Sequence, residues 1–261
     1  MRAILRARKI GKSHVSLTGA IRSLKDGLEK RFESPLERDL LTILDFDSNV
    51  ESFYDQPVTI SYFDSKGVGR NYTPDVLIHF QKDRWPARSK GTLLAEVKTK
   101  RDLAERGGDY AARFLAAGQF AEEKGWQFRV LTEDVIRTPY LTNARFLREY
   151  QKRAMDMATY DLILSGVRSL GETTVGRLLD HCCGVLKADQ GWSVGSAGED
   201  TGLRSTILAA LWRMVADRMV LADFHKLLDI SSPIAARTQQ GDRAVGGVPC
   251  IHSGHFSPLW L

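Results

Sequence analysis

Cysteine is scarce in this chain: Cys182, Cys183 and Cys250 are the three among 261 residues. The number is odd, two are adjacent and no CxxC pair occurs, so neither a disulfide framework nor a zinc ribbon is supported. Free thiols in a reducing cytosol are the simplest expectation. Cys182 beside His181 suggests a nucleophile with its base, but neighbours in sequence rarely meet correctly in space, and packing is the expected role. Long hydrophobic runs are also missing: no segment approaches the roughly 18 to 20 uninterrupted apolar residues that a membrane helix needs. The first residues, MRAILRARKIGKS, are basic but carry no apolar stretch and no small-residue cleavage site, so no secretory signal is expected there. No internal repeat of useful period occurs.

What is present fits an ordinary globular protein, with 43% hydrophobic and 26% charged residues. The length allows one large domain or two smaller ones. The net charge is +5, and it is unevenly spread. Arg2, Arg6, Arg8, Lys9, Lys12, Arg22, Lys25, Lys30 and Arg31 precede Phe32, against Asp26 and Glu29 alone. Clustered cations of this kind neutralise phosphates and release counterions, which points toward nucleic acid; a mildly basic surface is the plainer reading.

Residues 1–31 read as irregular, with a short helix expected near Ala20–Lys30. Ser34 and Pro35 then suit an N-cap and a first helical position, and Leu36, Leu40, Leu41 and Leu44 form one apolar stripe that ends at DFDSN. Strands are expected over VESFY (50–54), VTISYF (58–63), NYTPDVLIHF (71–80) and TLLAEVK (92–98), with DSKGVG a turn and 81–91 a polar connection. Pro74 is confined to the start or the edge of its strand. A helix from about Asp109 to Lys124, closed by Gly125, leads to a strand at 126–133 and a helix over 142–157. This order predicts an α/β core with a mixed central sheet flanked by helices. From 151 to 230 the patterns turn helical, with one helix after Glu172 and a strong one from about Leu203 to Asp217. The following RMVLADF suggests a hairpin, so a smaller, winged-helix-like domain is expected over 151–232 after the α/β domain over 1–150. Residues 233–261 read as a flexible tail, with HFSPLWL at its end a candidate docking segment.

The most informative stretch is YTPDVLIHF followed by LLAEVKTK. Residues i and i+2 of a strand share a face, so Glu96 and Lys98 point one way and Val97 the other. If the strands that carry Asp75 and Glu96 pair as a hairpin, two carboxylates and one ammonium meet at one end of the sheet. Phosphodiester hydrolysis calls for such groups. A hard divalent cation neutralises the phosphate and acidifies a water, and magnesium takes oxygen ligands such as Asp75, Glu96 and the Val97 carbonyl. Lys98 would orient the water or stabilise developing charge. A plain surface ion pair between Glu96 and Lys98 is the alternative, but the pair follows the apolar run Leu93-Leu94-Ala95, which favours a site. Glu37 is a fourth candidate; equally, Ser34-Pro-Leu-Glu37 is a capping box that would explain it without catalysis.

Taken together, FESPLERDLLTILDFDSNVESFYDQPVTISY, GRNYTPDVLIHF, LLAEVKTKRDL and GWQFRVLTEDVIRTPYLTNARFL resemble the TnsA family. This is the endonuclease subunit of heteromeric transposases, within the PD-(D/E)xK restriction-endonuclease-like superfamily. The segments occur in the family's order over roughly residues 5 to 150. The resemblance implies that Glu37, Asp75 and Lys98 are catalytic, with Glu96 in the metal site where some members carry Gln. It implies a magnesium cofactor, with manganese able to substitute, and hydrolysis of the 5′-side strand of double-stranded DNA at each transposon end. A DDE-type recombinase subunit (TnsB-like), cutting the 3′ side, and an AAA+ regulator (TnsC-like) are the implied partners, in a bacterial cytoplasm and without membrane attachment. The second domain would match the family's partner-contacting region. Lys100 and Arg101, just past the site, could hold phosphates, although a solvated turn explains them as well. A stand-alone nuclease of the same superfamily and a non-catalytic DNA-binding module are the alternative readings.

Overall fold

The computed structural model describes residues 18–81, 91–189 and 197–237. The basic residues ahead of position 18, Cys250 and the segment HFSPLWL lie outside the described residues. The chain divides into two compact units, one ending at Leu141 and the other starting at Thr142. No helix among the described residues is long and apolar enough to cross a membrane.

The first unit opens with a hairpin of β1 (Gly19–Arg22) and β2 (Glu29–Phe32), paired antiparallel. A helix near Ala20–Lys30 was the expectation, and the structure corrects it. The turn chemistry wins: Ser23 N–H bonds the Leu28 carbonyl, Gly27 adopts a positive φ of 71° and Asp26 accepts the Leu28 N–H. Helix α1 (Pro35–Phe46) follows, with Ser34 as its N-cap and Pro35 in its first turn, as the sequence signals. Its buried residues include Leu36, Leu40, Leu41 and Leu44, the expected stripe.

Strand β3 (Val50–Asp55) enters the central sheet, β4 (Ile60–Phe63) and β5 (Gly69–Tyr72) form a separate hairpin, and β6 (Val76–Phe80) returns to the central sheet. The single strand expected over 71–80 is therefore two strands in two sheets. Thr73-Pro74-Asp75 breaks it, because Pro74 has no N–H to give to a ladder. Strand β7 (Thr92–Val97) pairs antiparallel with β6 and parallel with β8 (Gln127–Leu131), giving a mixed four-stranded sheet of order β3-β6-β7-β8. Between β7 and β8 runs α2 (Lys100–Glu123), which starts nine residues before the expected Asp109. Thr99 caps it by accepting the Asp102 N–H, and the propagating helix carries through Gly107 and Gly108. Short α3 (Glu133–Ile136) and α4 (Pro139–Gln151) follow.

One face of the central sheet defines what comes next. Leu77 and Leu94, cross-strand partners, pack in one cluster with Ile60 and Tyr72 of the β4–β5 hairpin and Ala117 and Ala121 of α2. By strand alternation Asp75 shares the face of Leu77, and Glu96 that of Leu94. The sheet end that bears the charged residues is thus walled by α2 and by β5.

The second unit, which begins within α4, contains α5 (Met157–Leu170), β9 (Thr173–Thr174), α6 (Val175–Asp189), α7 (Ala197–Ala216), β10 (Val220–Ala222) and β11 (Pro233–Ala236). The helix expected over 142–157 stops at Gln151, and a new one starts at Met157 with Asp156 as N-cap. Strand β11 lies between β10 and β9, antiparallel to both. Pro233–Ala236, read from sequence as the beginning of a tail, is that central strand. Pro233 pairs with Thr174 at its edge and buried Ile234 fixes the face. Cys182 and Cys183 are buried free thiols, and burial, with the neighbouring Cys183, pushes the Cys182 thiol up to about 11. A thiol so protonated at neutral pH fits packing and not nucleophilic attack.

Candidate functional site

Val76 pairs with Ala95, so the next positions outward along the ladder are Asp75 and Glu96. Both belong to the face toward α2, and both lie beside Lys98. The Lys98 ammonium is 2.7 Å from Glu96 Oε1, 2.9 Å from the Val97 carbonyl oxygen and 4.0 Å from Asp75 Oδ2. The other Asp75 interaction is structural: its Oδ2 accepts the Val97 N–H at 2.7 Å, tying the two strand ends together. Gln56, at a positive φ of 45°, donates its N–H to the Asp75 carbonyl and fixes the backbone there.

Burial shapes the protonation of the cluster. Asp75 is raised well above the ordinary carboxylate range, first by burial and then by the Glu96 charge; Lys98 and the Val97 N–H oppose that rise. Burial pulls the Lys98 pKa down, but Asp75 and Glu96 outweigh it and the ammonium is held more firmly than usual. The neighbouring charges thus tune one another, which is the pattern of chemical sites more than of surface ion pairs.

Glu37 stands differently. Its Oε2 accepts the Glu33 N–H at 2.7 Å, and its Oε1 accepts the Ser34 hydroxyl at 2.9 Å, so its carboxylate closes the N-terminus of α1. It is nevertheless near enough for its charge to raise Asp75 and for Lys98 to lower it. Burial dominates its own shift, which is upward. Glu37 therefore joins the electrostatic cluster while its oxygens serve as cap.

Among the described residues, no three of His, Cys, Asp and Glu close around one point as a metal-binding group. The donor chemistry can still be tested against a hard cation. Glu96 Oε1, the Val97 carbonyl and Asp75 Oδ2 already surround one positively charged atom, the Lys98 nitrogen. Two carboxylates and a neutral carbonyl are what magnesium accepts from a protein, the remaining positions going to water and substrate. The residues fit such an ion in kind, and Lys98 partly offsets the charge of the two carboxylates.

Lys100 and Arg101 lie in the first turn of α2. Lys100 pairs with Asp134 at 2.7 Å and Arg101 with Glu105 at 2.8 Å, both in largely exposed positions. Each is engaged by an acid rather than directed at the carboxylates. Three residues that the sequence reading passed over do reach the site. Tyr72 donates its hydroxyl to Glu96 Oε2 at 2.6 Å, a buried bond that fixes the carboxylate and leaves Oε1 for Lys98. Burial and the Glu96 charge raise its phenol far above the usual value, so it remains a donor. Tyr110 and Arg113 of α2 complete the wall, the Tyr110 ring centre lying 6.0 Å from the Lys98 nitrogen. Tyr72 sits three positions before Asp75 within YTPD, a signal that could have raised it; nothing local marks Arg113.

Residues 47–133 match the family model of the TnsA-like endonuclease N-terminal domain, as a TnsA family member would. The match spans Asp75, Glu96, Val97, Lys98, Lys100 and Arg101, and also Tyr72, Tyr110 and Arg113; Glu37 precedes it. No curated protein sequence matches the chain.

Proposed function

We propose that this chain, carrying a TnsA-like endonuclease domain, is the subunit of a heteromeric transposase that hydrolyses the 5′-side strand at each end of a mobile DNA element, in a bacterial cytoplasm. The observation that carries the reading is the gathering of Asp75 Oδ2, Glu96 Oε1 and the Val97 carbonyl about one cationic atom in a TnsA-like endonuclease domain. Asp75, Glu96 and the Val97 oxygen would hold a magnesium or manganese ion, with Glu37 at the edge of the cluster. When bound, the ion supplies positive charge against the phosphate and acidifies a water.

The protein's own groups do the rest. Tyr72 keeps Glu96 in one orientation, and the Val97 N–H does the same for Asp75. Such fixed donors and acceptors lower the reorganisation needed when charge develops. Lys98, held protonated by its carboxylate neighbours, faces the reacting phosphate as a donor and stabilises the charge that grows on it. The strands and α2 bury the cluster so that these charges act with little screening.

The second unit supports a module beyond the nuclease. Its order, α5–β9–α6–α7–β10–β11 with a small antiparallel sheet, supports the winged-helix-like reading of this region. We assign it a role in contacting DNA or the DDE-type recombinase and AAA+ partners.

The test is cleavage of duplex DNA bearing transposon ends, with magnesium or manganese, with and without the recombinase subunit. Nicking on the 5′ side that requires both metal and partner is the expected result. Robust cutting by the purified chain alone at its own sequence would make it a stand-alone nuclease instead. DNA binding without metal binding by calorimetry, and without cutting, would reduce it to a binding module.

A further inference from the structure

Helix α2 turns one stripe inward: Tyr110, Ala117 and Ala121 are buried, with Arg113 and Phe114 on the same side. A guanidinium on such a stripe needs a reason. The Arg113 guanidinium carbon is 4.1 Å from the Tyr110 ring centre, 5.4 Å from that of Tyr72 and 5.6 Å from that of Phe114. Three rings hold the group in place by cation–π contact. Its Nε is buried without a hydrogen-bond partner, and among the described residues no carboxylate pairs with it.

The carboxylates of the site are already engaged. Glu96 receives Tyr72 and Lys98, and Asp75 receives the Val97 N–H. Arg113 meets Lys98 as a like charge, and its effect on the Lys98 pKa is to lower it. Arg106, 5.4 Å from the centre of the Tyr110 ring, differs in being exposed and paired with Asp102 and Asp109. A guanidinium with a buried N–H left unbonded carries a desolvation cost that an anion reaching it would offset. Here a guanidinium fork is held by three rings, one of them the Tyr72 ring whose hydroxyl bonds Glu96.

We propose that Arg113 binds a backbone phosphate of the strand being cut, adjacent to the scissile position. A phosphodiester offers the two non-bridging oxygens that a guanidinium fork matches, and the aromatic rings orient the fork in advance. The assignment rests on the nuclease reading of the site and adds a substrate-contacting residue to it.

The experiment uses the full chain carrying Asp75→Asn, which leaves DNA uncut, and measures binding to a fluorescent duplex over a range of salt concentrations without divalent metal. Adding Arg113→Gln should weaken binding by about tenfold and reduce the slope of log affinity against log salt by about 0.9. Arg113→Lys should keep most of the slope, since the charge remains. Unchanged affinity and slope in Arg113→Gln, with an unchanged thermal melt, overturns the proposal. Weaker binding at an unchanged slope also overturns it, by making the residue structural. Cleavage by the chain with native Asp75 is followed in parallel, with divalent metal and the recombinase subunit present. If that chain cuts DNA while Arg113→Gln binds and cuts normally, this inference alone fails. If the parent neither binds nor cuts, the nuclease reading fails and takes this one with it.

Discussion

Two sets of charged residues lie within six positions of each other and behave in opposite ways. At the end of β7, Glu96 is 3% and Lys98 19% exposed, and each answers to several partners. In the first turn of α2, Lys100 with Asp134 and Arg101 with Glu105 form ion pairs just as short, but with every side chain more than half exposed. Contact distance does not distinguish the sets; desolvation does. Water and salt screen these exposed pairs, whereas the charges at the strand end feel one another almost directly. The comparison separates a site from a solvated face in a short piece of chain.

The sharpest way to break the comparison is Asp75→Asn. The amide oxygen can still accept the Val97 N–H, so the fold is kept while one charge disappears. Cleavage should fall roughly a thousandfold or more, and a variant that cuts at the wild-type rate would end the assignment. Glu37→Gln comes next. It retains an acceptor for the Glu33 N–H, so stability should change by less than about 1 kcal/mol. Loss of cleavage by about a hundredfold would mark Glu37 as part of the chemistry; full activity, read in the same single-turnover assay, would leave it a cap. Tyr72→Phe removes the bond to Glu96 Oε2 and should slow cleavage by about tenfold, the worth of a hydrogen bond to a charged acceptor. An unchanged rate would show that Glu96 is oriented by other means.

Protonation gives a smaller effect with a definite sign. A carboxyl raised in the folded state binds more protons there than when unfolded. The stability of the metal-free chain should therefore fall as pH rises from the ordinary Asp value of 3.8 toward the raised value of Asp75, with Glu37 acting in the same direction. Asp75→Asn should flatten that fall and raise the melting temperature at neutral pH, by roughly 2 to 4 °C for each kcal/mol released. A melting temperature that rises with pH in that window would contradict the desolvation account. Least affected should be Lys100→Ala and Arg101→Ala. Each is expected to leave the melting temperature unchanged and cleavage within about twofold; a large loss in either would erase the distinction between the two sets.

Much of the fold could be read from local pattern. The Ser34-Pro35 start of α1, its leucine stripe, β3, β7 and β8 follow from capping chemistry and periodicity, which act over a few residues. The misses have a common cause. Gly19–Phe32 is a hairpin because a turn closes it and Phe32 is buried, and α2 begins at Lys100 because Thr99 caps it. Residues 71–80 split because the β4–β5 hairpin pairs apart from the central sheet, a choice that belongs to distant partners.

The sequence by itself determined which residue types were on hand: Asp75 after a proline, Glu96 and Lys98 two apart on a strand, Glu37 in a capping position. Backbone alternation and helix-start chemistry are local, so those placements needed no partner. Only the tertiary structure decided that Tyr72 would hold Glu96 and that Arg113 would stand among three aromatic rings, Tyr72 among them. Those outcomes depend on pairing register and on how α2 packs against the sheet, and burial, which gives the charges their strength, exists only after packing.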